Sequence, residues 1–85
     1  MAADARKMIA ELRELAELTG DERGAQRLAW TDTWARAREW ERGLLAQLAV
    51  EVDLDEAGNQ WATLEGRSPK ALIIGSHIDS VPNGG

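Results

Sequence analysis

Residues 72–85 read Leu72-Ile73-Ile74-Gly75-Ser76-His77-Ile78-Asp79-Ser80-Val81-Pro82-Asn83-Gly84-Gly85. An apolar run, Ala71 to Ile74, leads into a His-x-Asp pair, and a Pro-Asn-Gly-Gly turn follows. The run lacks alternation, which is the pattern of a strand covered on both faces, as in a sheet flanked by helices. The single histidine of the chain then falls where that strand gives way to a loop, and α/β folds gather their chemistry at such ends. This stretch therefore predicts an α/β class with a site beginning at His77.

Working backwards, Val50, Val52 and Leu54 alternate with Glu51, Asp53 and Asp55, which predicts a half-buried strand with a polar outer face. Glu56-Ala57-Gly58-Asn59 is a turn, and Gln60 to Glu65 forms the returning strand of a hairpin. Before it the period is helical. Asp32 to Leu48 predicts a helix with Thr31 as N-cap, Asp32 at the positive end of the dipole and a stripe of Trp34, Ala37, Trp40, Leu44 and Leu48. Gly43 interrupts it at a cost of about 1 kcal/mol relative to Ala. Asp4 to Thr19 predicts the first helix, with Met8, Leu12 and Leu15 on one face, Asp4 able to cap it and Gly20 ending it. Gly20-Asp-Glu-Arg-Gly24 reads as a loop. The expected order is α-α-β-β-β.

Composition narrows the function. Eighty-five residues make one small domain, which buries roughly 60–65% of its unfolded surface. A hydrophobic content of 44% with 29% charged residues is that of a soluble globular chain. A net charge of −5, with the ten basic residues spread among acids, argues against nucleic acid and against a membrane surface. The longest apolar run is far too short for a membrane span. No secretory segment opens the sequence and there is no cysteine, so a cytoplasmic protein without disulfides or thiolate metal sites is expected.

In extended backbone, residues two apart face the same side, so His77 and Asp79 could converge. A metal-bound histidine usually donates its second N–H to an oxygen, which fixes the tautomer, and a His-x-Asp pair supplies ligand and orienter together. The competing reading is a surface turn pair, since His-x-Asp is common and zinc sites take three or four protein ligands. No second histidine exists to build a nucleophile–base relay. The tryptophans Trp30, Trp34, Trp40 and Trp61 read as core and edge packing rather than as a stacking surface. Asp53, Asp55 and Glu56 lack the spacing of a calcium loop. Arg27-Leu28-Ala29-Trp30, in a connecting loop, could contact a substrate, but nothing in the residues requires it.

Taken in order, Gly24-Ala-Gln-Arg-Leu-Ala-Trp-Thr31, Ala35-Arg-Ala-Arg-Glu-Trp40, Val50-Glu-Val-Asp53, Gly58-Asn-Gln-Trp-Ala-Thr63 and Gly75-Ser-His-Ile-Asp-Ser-Val-Pro-Asn-Gly-Gly85 resemble one known group. It is the N-carbamoyl-L-amino-acid hydrolase and allantoate amidohydrolase branch of the aminoacylase-like dinuclear metallopeptidase family. The resemblance covers essentially the whole chain but only the opening part of such an enzyme, and the last motif is its specific part. It implies a zinc-exopeptidase-like catalytic domain with a mixed central sheet, of which residues 1–85 are the N-terminal piece: two helices, a hairpin and one further strand. His77 would be the first ligand of a site for two divalent metal ions, zinc or manganese, and Asp79 the companion acid that orients it. The other ligands, a Glu-Glu pair and a lid and dimerisation domain would lie beyond Gly85. A fragment inactive alone is therefore expected, from an enzyme that acts as a homodimer on a small-molecule amide or ureide. A peptidase or N-acyl-amino-acid deacylase of the same family is the alternative. A non-catalytic α+β interaction module is the alternative of another class.

Overall fold

The computed structural model describes residues 3–85; Met1 and Ala2, which the sequence reading sets ahead of the first helix, lie outside them. The elements run α1 (Ala5–Thr19), β1 (Gly20–Asp21), β2 (Gly24–Ala25), α2 (Asp32–Leu45), β3 (Glu51–Leu54) and β4 (Gln60–Thr63). They divide into two units, Met1–Trp40 with Ile78–Gly85, and Glu41–His77. Each sheet is a two-stranded antiparallel hairpin, so the α/β content is real at the level of helices and hairpins.

In the first unit, Asp4 starts α1 as expected: its Oδ1 accepts from the backbone N–H of Arg6 and Lys7, both at 3.1 Å. These are two of the four donors that a helix start leaves unpaired. Lys7, exposed, and Glu11, half-buried, add an i, i+4 pair at 3.9 Å. At the other end Gly20 stops the helix, though not through left-handed backbone, since its φ is −126°. Closeness is what demands a glycine there. A Cβ would stand 2.8 Å from the Gly24 carbonyl oxygen and 2.9 Å from that of Ala16. The chain turns at once into the β1–β2 hairpin, registered Gly20↔Ala25 and Asp21↔Gly24. The sequence reading had this stretch as loop throughout, because two-residue strands carry no periodicity.

Thr31 caps α2 as expected, its Oγ1 accepting from the Trp34 N–H at 3.3 Å. Ahead of it Trp30 holds a left-handed φ of 70° inside a turn closed by Thr31 N–H to Leu28 O at 3.2 Å. Its ring stands 4.9 Å from that of Trp34, over which Arg38 places its guanidinium at 4.7 Å. Trp30 is 78% exposed and Trp61 is exposed as well, which corrects the packing role assigned to these two rings.

The second unit opens with the last turn of α2. Gln47 and Leu48 donate to carbonyls three residues back, at 3.2 and 3.0 Å, so the helix tightens and ends at Leu45 rather than Leu48. The predicted hairpin forms, with Val52 opposite Ala62 and Asp53 opposite Trp61. That register sets Trp61 on the acidic face. Its indole N–H donates to Asp55 Oδ2 at 2.9 Å. Gln60 takes the other face, where its side-chain N–H donates to Glu41 Oε1 at 2.8 Å.

The predicted third strand is absent. Residues 64–81 carry neither helix nor strand, and Leu72 and Ile74 are each 88% exposed. The physical reason is a shortage of neighbours: a strand read as covered on both faces needs partners on its edges and layers on its faces, and no strand among the described residues pairs with it. Among the described residues the buried apolar side chains are Leu15 and Ala37; of the predicted stripes, Trp34, Trp40 and Leu44 are half-buried, and Met8, Leu12 and Leu48 stay open to solvent.

Candidate active site

His77 and Asp79 are not carried on a strand end, as the apolar run suggested, but on irregular backbone. His77 closes the second unit and is exposed; Asp79 lies in the first unit and is half-buried.

What holds the Asp79 loop is a socket at the end of α1. The side-chain hydroxyl of Thr19, one of the few buried polar groups at 3% exposure, donates to Leu15 O at 2.7 Å. Arg27 Nη1 reaches the same hydroxyl oxygen at 3.5 Å while its Nε–H donates to the Ile78 carbonyl at 2.6 Å. The Arg27 backbone takes the next residue but one: Ser80 N–H donates to Arg27 O at 2.9 Å, and Arg27 N–H to Ser80 Oγ at 3.1 Å.

Further along, Ala25 and Gly84 exchange both backbone hydrogen bonds, at 2.6 and 3.0 Å, as an isolated antiparallel bridge. Gln26 locks the turn by a reciprocal pair. Its Nε2 donates to Asn83 Oδ1 at 2.8 Å and its Oε1 accepts from Asn83 N–H at 3.0 Å. Asn83 sits at φ 56°, a left-handed conformation that asparagine tolerates better than most residues. Gly24, at φ +129°, faces Gly84 so closely that a Cβ would collide with the Gly84 carbonyl oxygen. Gln26 also donates to Asp21, and with the Arg23 N–H this holds the Asp21 carboxyl below its usual value.

An open groove of about 550 Å³ lies beside this bridge, lined by Leu12, Leu15 and Ala16 of α1 and by Gly24, Arg27 and Gly84 among others. Neither His77 nor Asp79 lines it. Among the described residues no group of three or more His, Cys, Asp or Glu is placed to hold a metal ion. One exposed imidazole and one carboxylate are donors of the right type, yet they fall short of the three or four ligands that zinc takes. By themselves the residues present do not fit a two-metal centre.

Sequence reasoning missed Arg27, Ser80, Gln26, Asn83 and Thr19 as the parts that fix the loop. The paired glycines at 24 and 84–85 were the visible signal, since both ends of a close backbone approach lose their side chains. The pairing itself spans 57 positions and leaves no local pattern.

Comparison with known proteins finds relatives that are amidohydrolases. It is 38% identical over 85 residues to an N-carbamoyl-L-amino-acid amidohydrolase of Paenarthrobacter aurescens, covering 98% of this chain and 21% of that protein. Over 64 residues, 73% of this chain, it is 38% identical to an allantoate amidohydrolase of Bacillus subtilis and 34% identical to one of Escherichia coli, with 16% of each covered. The chain is thus a relative of the N-carbamoyl-L-amino-acid and allantoate amidohydrolases, and it spans about a fifth or less of their length. No family profile matches it, and neither does any solved structure.

Proposed function

We propose that this chain is one part of a hydrolase that cleaves linear amide or carbamoyl C–N bonds in N-carbamoyl amino acids or allantoate. The observation that carries the reading is the 38% identity to an N-carbamoyl-L-amino-acid amidohydrolase along 98% of the chain. The allantoate amidohydrolase relatives favour the carbamoyl and ureide substrates over the peptide or acyl substrates of the alternative reading.

Within that reading His77 supplies a ring nitrogen to a divalent ion, zinc or manganese, and Asp79 is the acid that orients the site. Two ions need ligands that this chain does not supply, so the remaining donors come from a longer polypeptide, folded as a zinc-exopeptidase-like domain and assembled as a homodimer. The segment around Ile74 is then the part that such a domain covers.

The test is a polypeptide extended to the length of the relatives, assayed for release of the amino acid and ammonia from N-carbamoyl-L-amino acids and from allantoate. The expected result is turnover that a chelator abolishes, with His77→Ala losing both bound metal and activity. Turnover of dipeptides or N-acyl amino acids instead would establish the alternative, and activity insensitive to His77→Ala would remove the assigned ligand.

A further inference from the structure

We propose that Arg27 is the positioning residue of Asp79, holding the residue on either side of the acid, Ile78 through its guanidinium and Ser80 through its main chain. The inference rests on the hydrolase reading above, since a positioning role presupposes a reaction. The geometry is specific. The peptide that precedes Asp79 presents the Ile78 carbonyl to Arg27 Nε at 2.6 Å. The residue that follows, Ser80, gives its N–H to the Arg27 carbonyl at 2.9 Å and receives the Arg27 N–H on Oγ at 3.1 Å. Asp79 is therefore bracketed by three hydrogen bonds that all end on one residue, two on its main chain and the third on its guanidinium, which ties that main chain to the Ile78 side of the acid.

That residue is itself anchored. Its Nη1 meets Thr19 Oγ1, whose hydroxyl proton is committed to Leu15 O in the last turn of α1. The anchor is rigid by burial, because Thr19 and Leu15 are both closed off from solvent. A guanidinium suits this work where an ammonium does not. Its Nε–H and Nη–H are held in one plane and diverge at a fixed angle, so a single side chain can reach the Ile78 carbonyl and the Thr19 oxygen together. Lysine keeps the charge but offers a single nitrogen on a flexible stem, without the planar fork that fixes both directions at once. Arg27 touches no reacting group in this account; it acts through the backbone on either side of the acid.

The experiment has two arms. In the polypeptide extended to the relatives' length, where the segment around Ile74 is covered, Arg27→Lys and Arg27→Ala are compared with the parent by backbone amide NMR. The expected result is displacement of the Asp79 and Ser80 resonances and at least tenfold faster exchange of the Ser80 N–H, with the amides of residues 8–14 in α1 unchanged. Unchanged Asp79 and Ser80 resonances in Arg27→Lys would overturn the proposal, and that variant stays informative where Arg27→Ala loses the fold.

In the polypeptide extended to the relatives' length, Arg27→Ala should lower kcat about 10- to 100-fold with little change in KM, the scale expected from a misplaced group. Added guanidinium ion should recover part of kcat, and sodium chloride at the same ionic strength should not. An unaltered kcat alongside the NMR change would overturn the positioning role. Absence of turnover by the parent enzyme would instead remove the hydrolase reading, leaving the NMR arm to decide whether Arg27 holds the loop.

Discussion

Asp55 illustrates how much order one exposed side chain can impose. Its Oδ1 accepts from the N–H of Ala57 and of Asn59 at 3.0 and 2.8 Å, while Oδ2 accepts from the Asn59 amide at 3.0 Å and the Trp61 indole at 2.9 Å. These donors, the Trp61 indole foremost, bring its pKa down from 3.8 to about 2. Because the folded value lies below the unfolded one, the contribution is complete above about pH 4 and is lost as pH falls through about 2. The expected outcome is a shift of the Trp61 indole proton resonance across that window, with the far end of α1 unaffected and the transition absent in Asp55→Asn. A Trp61 signal that titrates near pH 4 would contradict it. The turn at Glu56–Asn59 was legible from its residue types. That Asp55 organises it was not, because the sequence assigns the aspartate to the polar face of a strand without saying what donors return to meet it.

Among the elements, those whose cause is local were readable and those whose cause is remote were not. Asp4, Thr31 and the alternation of Val52 with Asp53 each act within a few residues, and α1, α2 and the β3–β4 hairpin follow from them. The Ala71–Ile74 strand failed for the opposite reason, since its pattern describes an environment that no described element provides. The β1–β2 pair and its bridge to Gly84 were invisible, being made by backbone closeness between glycines rather than by any period. For α2 the remaining local liability is Gly43, inside the helix, where a Cβ would meet nothing within 4 Å. Gly43→Ala should therefore stabilise the last turns by about 1 kcal/mol, read as added ellipticity at 222 nm and a higher melting midpoint. A loss of helicity in that variant would mean that the glycine serves a purpose the free space around it hides.

For the whole molecule the decisive quantity is surface. Much of the exposed surface is apolar, since Leu64, Leu72, Ile73, Ile74 and Val81 are all among the exposed large side chains. No helix among the described residues is long and apolar enough to cross a membrane, so these side chains do not mark a helical span. The 85-residue chain by itself should bind a hydrophobic dye such as ANS and melt over a broad range, as chains with unsatisfied packing do. A sharp melt with no dye binding would favour the self-sufficient interaction module. The candidate site was legible only as a local motif at His77 and Asp79, because the contacts that hold its loop, from Gln26 and Arg27, span more than fifty positions and leave no local pattern.

The socket described at the end of α1 also orders events in time. Thr19, Gly24, Gln26 and Arg27 assemble from neighbours in sequence, whereas Asn83 must travel back across 57 positions to meet Gln26. Closing such a span costs about 3.5 kcal/mol of chain entropy, and α1 with its hairpin costs far less because its contacts are short-range. During synthesis the receiving half therefore leaves the ribosome and can form while the loop that carries Asp79 is still untranslated. The acid is delivered to a finished seat.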